Sequence, residues 1–182
     1  KIWISQEKIT LLDKEISDDY LDNLDNFDLI FKTPGISPYH PKIINHRAKL
    51  ISAAQLFFDN YPWKVIWITA TKGKSTTSTL IFETLKNAWY DVKLVWNIGN
   101  PVLDEVDLLW WEIHEYIIYE LSSYMLEVLQ PSCFIWIFWN LYACHVDWHN
   151  NDFEVYKRAK LNLLKYSKNS LIGFDFKDFE MA

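Results

Sequence analysis

Thr69-Ala70-Thr71-Lys72-Gly73-Lys74-Ser75-Thr76 decides the reading of this chain. The run from Lys64 to Thr69 is β-branched and apolar and reads as a buried strand. Ser75 to Ala88 reads as a helix, with Ile81, Leu85 and Ala88 on one stripe. A Gly-Lys-Ser turn between strand and helix aims backbone N–H groups at an anion, and the helix N-terminus adds positive potential. Lys74 can reach the β- and γ-phosphates, and the Ser75 hydroxyl is placed for Mg²⁺. Thr71, Lys72, Gly73, Lys74, Ser75 and Thr76 are therefore the expected nucleotide-binding residues. The general pattern has a glycine five positions before Gly73, where this chain has Ile68, so the spacing is not the standard one. The alternative is a turn without a ligand.

Working outward, strands alternate with helices. Leu29-Ile30-Phe31 is a short strand ending in the turn Pro34-Gly35-Ile36-Ser37-Pro38, and a helical stretch follows to about Asn60. Asp91 to Val95, Tyr116 to Leu121 and Cys133 to Phe138 read as strands; Asp152 can cap a helix running to about Tyr166, and Leu171 to Phe174 starts another strand. This alternation implies an α/β fold with a mainly parallel sheet. Ligands in such sheets bind at the carboxyl ends of strands, which singles out the loops after Thr69, Glu120 and Asn140. The acidic segment from Asp13 to Asp28 reads as a solvated helix and turn.

Composition sets the limits. The chain has 182 residues, half of them apolar, enough for a real core. Its net charge of −6 leaves no excess of cations for phosphates or headgroups, which argues against nucleic acid and membrane surfaces as partners. Two cysteines, Cys133 and Cys144, make no disulfide framework, and a reducing compartment is expected. There is no signal-peptide pattern, and no apolar run is long enough for membrane insertion.

Several stretches then agree, in order and spacing, with one family. They are Thr33-Pro34-Gly35-Ile36, His40-Pro41, the phosphate loop, Asn97-Ile98-Gly99-Asn100-Pro101, Tyr119-Glu120-Leu121-Ser122-Ser123, Asn140 with His145 and Asp147, and Tyr156 to Lys160. The chain resembles the Mur ligases, and Asn-Ile-Gly-Asn-Pro favours the branch that adds D-glutamate. The resemblance implies a P-loop central domain over residues 52–182, preceded at 1–51 by the tail of a Rossmann-like domain that binds the UDP substrate. It implies a cytoplasmic, monomeric enzyme of peptidoglycan-precursor synthesis using ATP and Mg²⁺. ATP would phosphorylate the carboxylate of UDP-N-acetylmuramoyl-L-alanine, and the amine of D-glutamate would displace the phosphate. Complete enzymes of the family have three domains, so this chain is expected to be a fragment lacking the domain that brings D-glutamate, and inactive alone. Alternatives are a folylpolyglutamate-type ligase of the same superfamily, or a nucleotide-binding remnant without ligase activity.

The resemblance also assigns roles. Lys74 neutralises phosphate charge, Glu120 holds Mg²⁺ through a hard oxygen, and His145 matches a histidine ligand of a second magnesium. Lys160 matches a lysine that is carbamylated and helps organise the metal. Its place four residues after Tyr156 and four before Leu164 puts it on the inward stripe, where desolvation lowers a lysine pKa and a neutral amine can add CO₂. The other reading is a snorkelling lysine. Pro34 and Gly35 match the turn whose backbone approaches the substrate pyrophosphate, and Asn97 and Ser122 match positions near the muramoyl-alanine end. Three departures bear on affinity: Ala70 replaces a glycine and could crowd the phosphates, Met125 replaces a glutamine, and Ala143-Cys144 replaces an acidic pair.

One count is abnormal. A usual share of about 7% would give roughly 13 glycines, whereas this chain has 4, together with 10 tryptophans. Trp89 follows the helix ending at Ala88, at the position where a left-handed conformation favours glycine. Trp63 and Trp110-Trp111 lie at turns, Trp67 lies in the strand feeding the phosphate loop, and Trp96 abuts Asn97. Most tryptophans other than Trp148 are therefore expected to be glycines in the living protein, encoded by UGA.

Overall fold

The structure, a computed structural model, describes residues 2–4, 21–60, 64–95, 114–130, 133–162 and 167–172. Two parallel sheets organise them. The smaller has the order β1-β2-β3, from Ile2–Ile4, Leu29–Phe31 and Leu50–Ile51. The larger has the order β5-β6-β4-β7-β8, from β4 (Lys64–Thr69), β5 (Val92–Val95), β6 (Tyr116–Glu120), β7 (Cys133–Phe138) and β8 (Ser167–Ile172). The helices are α1 (Ala53–Asn60), α2 (Lys74–Asn87), α3 (Ser123–Leu126) and α4 (Phe153–Leu161).

β4 is the central strand, and burial on both faces explains its continuous apolar run. Ile66 and Ile68 pack on one side with Ile118 and Ile137, beneath Ile81 and Leu85 of α2. Val65 and Trp67 face the other core with Phe57, Tyr119 and Phe138. β4 pairs with β6 from Lys64↔Tyr116 to Ile68↔Glu120 and with β7 from Ile66↔Ile135 to Thr69↔Phe138. The carboxyl ends of these three strands thus lie side by side, bringing the loops after Thr69, Glu120 and Asn140 to one edge of the sheet.

Three expectations need correcting. The helical stretch before Asn60 is a 3₁₀ turn over Ile44–Lys49, the short β3, and only then α1. The helix begun by Asp152 ends at Leu161, short of Tyr166; its cap is as expected, with the Glu154 N–H donating to the Asp152 carboxylate at 2.8 Å. The last strand begins at Ser167 rather than Leu171, pairing Ser167 with Cys133; its polar start Ser-Lys-Asn hides it from an apolar-run criterion. Of the acidic segment, residues 13–20 lie outside the described residues, and Leu24–Asn26 forms a 3₁₀ turn.

Candidate active site

The loop after β4 is held from within. Gly73 precedes α2 with φ 81°, left-handed backbone that suits glycine, and no side chain caps the helix. An uncapped first turn leaves amide donors for an anion. The two residues before Gly73 are tied down by Asn140. Its Oδ1 accepts the N–H groups of Thr71 (3.1 Å) and Lys72 (3.0 Å), and its Nδ2 donates to the Lys72 carbonyl at 2.9 Å. The Thr71 and Lys72 amides are therefore committed to shaping the loop, and the open donors belong to the start of α2. The Thr71 hydroxyl lies 2.8 Å from the Tyr156 hydroxyl and accepts the Tyr142 N–H at 3.0 Å. Burial pushes Tyr156 up to about 12, so it stays a neutral phenol.

Two lysines converge on one carbonyl. Lys160 Nζ donates to Ala70 O at 2.9 Å and to Thr69 Oγ1 at 3.0 Å, while Lys74 Nζ donates to Ala70 O at 3.3 Å and Thr71 O at 3.4 Å. Lys160 is buried, 2% exposed, on the inner face of α4 with Tyr156. Burial, then the Lys74 charge, pulls its pKa down to about 7, against the opposing pull of Cys144 and Glu120. The snorkelling alternative is ruled out: this amine does not reach water.

Glu120 ends β6 in a buried position, and its Oε2 has no hydrogen-bond partner among the described residues. An orphaned carboxylate oxygen facing a lysine cluster at a strand end fits a hard cation such as Mg²⁺. His145 is exposed, with φ 54° and its ring 5.3 Å from Tyr124. No group of three His, Cys, Asp or Glu side chains converges among the described residues. A magnesium here would complete its shell with phosphate oxygens and water, as that ion prefers.

The remaining expected positions divide. Pro34 and Gly35 are exposed, and a Cβ on Gly35 would meet nothing within 4 Å, so the space beside the turn is open. Ser122 stands at the start of α3 with its hydroxyl buried and unpartnered among the described residues. Asn97 lies outside the described residues, as do Trp63, Trp96 and Trp110-Trp111. Ala70 is fully buried. Met125 packs in the core with Leu126 and Trp136. The clamp by Asn140 was not foreseen; the sequence gives that residue only a place in the resemblance, and no local spacing reveals a contact made across about 70 residues.

Residues 68–179 match the family model of the Mur ligase middle domain. The chain is similar to the UDP-N-acetylmuramoylalanine--D-glutamate ligase of Clostridium tetani, 32% identical over 170 residues, covering 92% of this chain and 36% of that one. The Clostridium botulinum (strain Hall) protein of the same name is 36% identical over 165 residues, covering 88% of this chain and 35% of that one. The chain thus spans about a third of the length of these relatives. Among solved structures, the fold matches a MurF ligase from Thermotoga maritima in complex with ADP at TM-score 0.53 and 18% identity, covering 83% of this chain and 38% of that one. It also matches a UDP-N-acetylmuramoyl-L-alanyl-D-glutamate--2,6-diaminopimelate ligase at TM-score 0.55 and 17% identity, covering 81% and 35%.

Proposed function

Since this chain belongs to the Mur ligase family, we propose that it forms part of an ATP-dependent ligase adding D-glutamate to UDP-N-acetylmuramoyl-L-alanine in peptidoglycan-precursor synthesis. The observation that carries the nucleotide reading is the uncapped start of α2 behind left-handed Gly73, with Lys74 and Lys160 meeting at the Ala70 carbonyl. The names of the relatives favour D-glutamate over a folate substrate. Residues 1–51 are assigned to a UDP-substrate domain and residues 52–182 to the ATPase domain.

Each residue has one task. The first turn of α2, from Lys74 to Thr76, receives the β- and γ-phosphates, and Lys74 turns from the loop carbonyls to neutralise them. Ser75 and Glu120 offer oxygens to Mg²⁺, with His145 assigned to a second metal. A magnesium held there would supply positive charge next to the phosphates. Lys160, about half of it neutral amine at pH 7, takes up CO₂: its lone pair attacks the carbon and its proton is ultimately released to solvent, giving a carbamate with carboxylate-like oxygens beside Glu120. The Pro34-Gly35 turn, Asn97 and Ser122 hold the UDP substrate. No helix among the described residues is long and apolar enough to cross a membrane; a monomer in the cytoplasm, where the nucleotide substrates are made, completes the proposal.

The test uses the complete gene product. Phosphate release from ATP should require both UDP-N-acetylmuramoyl-L-alanine and D-glutamate. Release that instead requires a folate and L-glutamate, or ATP binding without any turnover, would overturn the assignment.

A further inference from the structure

Lys32 is 1% exposed, as enclosed as the core residues Ile30 and Ile43. Its Nζ donates to the carbonyls of Thr33 at 2.9 Å and Ile36 at 2.7 Å, the two ends of the turn that carries Pro34 and Gly35. The Ile36 N–H closes the same turn on Thr33 O at 3.3 Å, and the Lys32 N–H is fixed to Ile51 O of β3 at 2.8 Å. The ammonium also lies 5.4 Å from the centre of the Trp148 ring. Among the described residues it makes no ion pair; carbonyl dipoles and a ring face hold its charge at close range, and Glu127 acts on it from farther off, with Arg47 opposing. Burying a cation this way is costly, and a strap for a surface turn needs no charge. A peptide plane is trans, so drawing the Ile36 carbonyl inward turns the Ser37 N–H outward. Pro34 has no N–H to offer, and the space over Gly35 is open.

We infer that Lys32 is a positioning residue for the anionic end of the substrate. It shapes the Thr33–Ile36 turn from beneath and adds a positive charge, not locked in an ion pair, behind the surface that meets the pyrophosphate. This rests on the proposed UDP substrate. In the complete gene product, Lys32→Met should raise the KM for UDP-N-acetylmuramoyl-L-alanine at least tenfold while kcat and the KM for ATP stay within twofold. Lys32→Gln, which keeps a donor without the charge, should raise the same KM at least threefold and serves as the readout if Lys32→Met fails to fold. An unchanged KM, or kcat and both KM values moving together as in general destabilisation, would overturn the role. The wild type separates the two claims. If it turns over no UDP substrate, the functional reading falls and this inference with it; turnover with an unaffected variant sinks Lys32 alone.

A second inference stands on different residues. Trp89 has φ 65° and is 95% exposed. Its N–H donates to Lys86 O at 3.0 Å and the Tyr90 N–H to Leu85 O at 3.1 Å. That is the Schellman end of α2, with the left-handed position, where glycine is the usual residue, held by a tryptophan that packs on nothing. On the central strands, Trp67 and Trp136 are register partners, both fully buried, and neither indole N–H has a partner among the described residues. Buried indoles normally find one. Trp148 also lacks a partner for its N–H, but it lies off the sheet and is only half-buried, with its ring 4.6 Å from Tyr124 and under Lys32; the rings of Trp67 and Trp136 pack inside the core, on Phe58 at 4.1 Å and on Phe138 at 5.2 Å. We infer that Trp89, Trp67 and Trp136 are glycines in the living protein, read there from UGA codons, and that Trp148 is a true tryptophan. The gene sequence and peptide masses from the native source decide it. UGA at these three codons, UGG at Trp148 and glycine masses at 67, 89 and 136 are expected. UGG codons or tryptophan masses at those three positions would overturn it.

Discussion

Two turns in this molecule are fastened from the inside, and they are fastened differently. The turn at Thr33–Ile36 hangs on one side chain, Lys32, which takes both of its terminal carbonyls. The loop at Ala70–Lys74 is held by several, with Lys160 and Lys74 on Ala70 O, Asn140 on Thr71 and Lys72, and Tyr156 on the Thr71 hydroxyl. Both turns bury a lysine, but its neighbours differ. Burial brings Lys32 down to about 8, with Glu127 pulling it back up and Arg47 pushing it lower. Lys160 has the like charge of Lys74 beside it and falls further, to about 7. The first remains mostly an ammonium at neutral pH, and the second is half amine. On the proposed roles, charge is the working property of one lysine and nucleophilicity that of the other, although both donate to main-chain oxygens.

The harshest way to break this comparison is Lys74→Ala in the complete enzyme. Steady-state turnover should drop by about 10² or more, since a positioned cation on a transferring phosphate is lost. The same change removes the like charge beside Lys160 and should raise the Lys160 pKa, read from the pH dependence of its reactivity toward CO₂. Near-normal turnover would take Lys74 out of the mechanism.

Asn140→Ala comes next. It strips three hydrogen bonds from the loop, each worth about 1 kcal/mol net, and leaves the sheet intact. The KM for ATP should rise about tenfold or more with little change in the KM for the UDP substrate. If the two rise together, Asn140 shapes more than the phosphate loop.

A pH series of unfolding sharpens the contrast between the lysines. Each has a folded pKa below its unfolded value near 10.5, so the unfolded chain binds more protons between the two, and stability rises with pH there. The window opens at about 7 for Lys160 and about 8 for Lys32. Lys160→Met and Lys32→Met should each gain most over the wild type below these values and lose that advantage toward pH 10. An advantage independent of pH would mean that neither lysine is desolvated as described.

The mildest change lies away from both turns. Trp89→Gly relieves left-handed strain of about 1 kcal/mol and should raise the melting temperature by about 2–4 °C. Trp148→Gly, by contrast, should lower it.

The sheet was legible because β4 and β7 are buried on both faces and therefore apolar without interruption; Lys64 to Thr69 and Cys133 to Phe138 match the strands as read. β3, two residues long, and the polar β8 leave no such imprint, since their hydrogen bonds come from a neighbouring strand rather than from their own composition. The inward place of Lys160 followed from helical spacing, and its burial followed in turn. Lys32 could not be found in this way: its role depends on carbonyls that curl back under it and on Trp148, which is 116 positions away in the chain. Asn140 was missed for the same reason.

The tie between the first sheet and the second has a temporal consequence. Ser37 Oγ donates to Trp148 O across 111 residues, and Arg47 and Tyr39 both reach Glu127, 80 and 88 residues on. On a ribosome, β1 to β3 emerge long before these partners exist. Contacts this distant form late because their loop must close first. The segment that follows the Thr33–Ile36 turn, though made early, therefore finds these partners late, while the turn itself closes on local bonds. Until Trp148 has been delivered, the surface assigned to the nucleotide-sugar has its local hydrogen bonds but lacks the anchor of Ser37 and the ring face under Lys32.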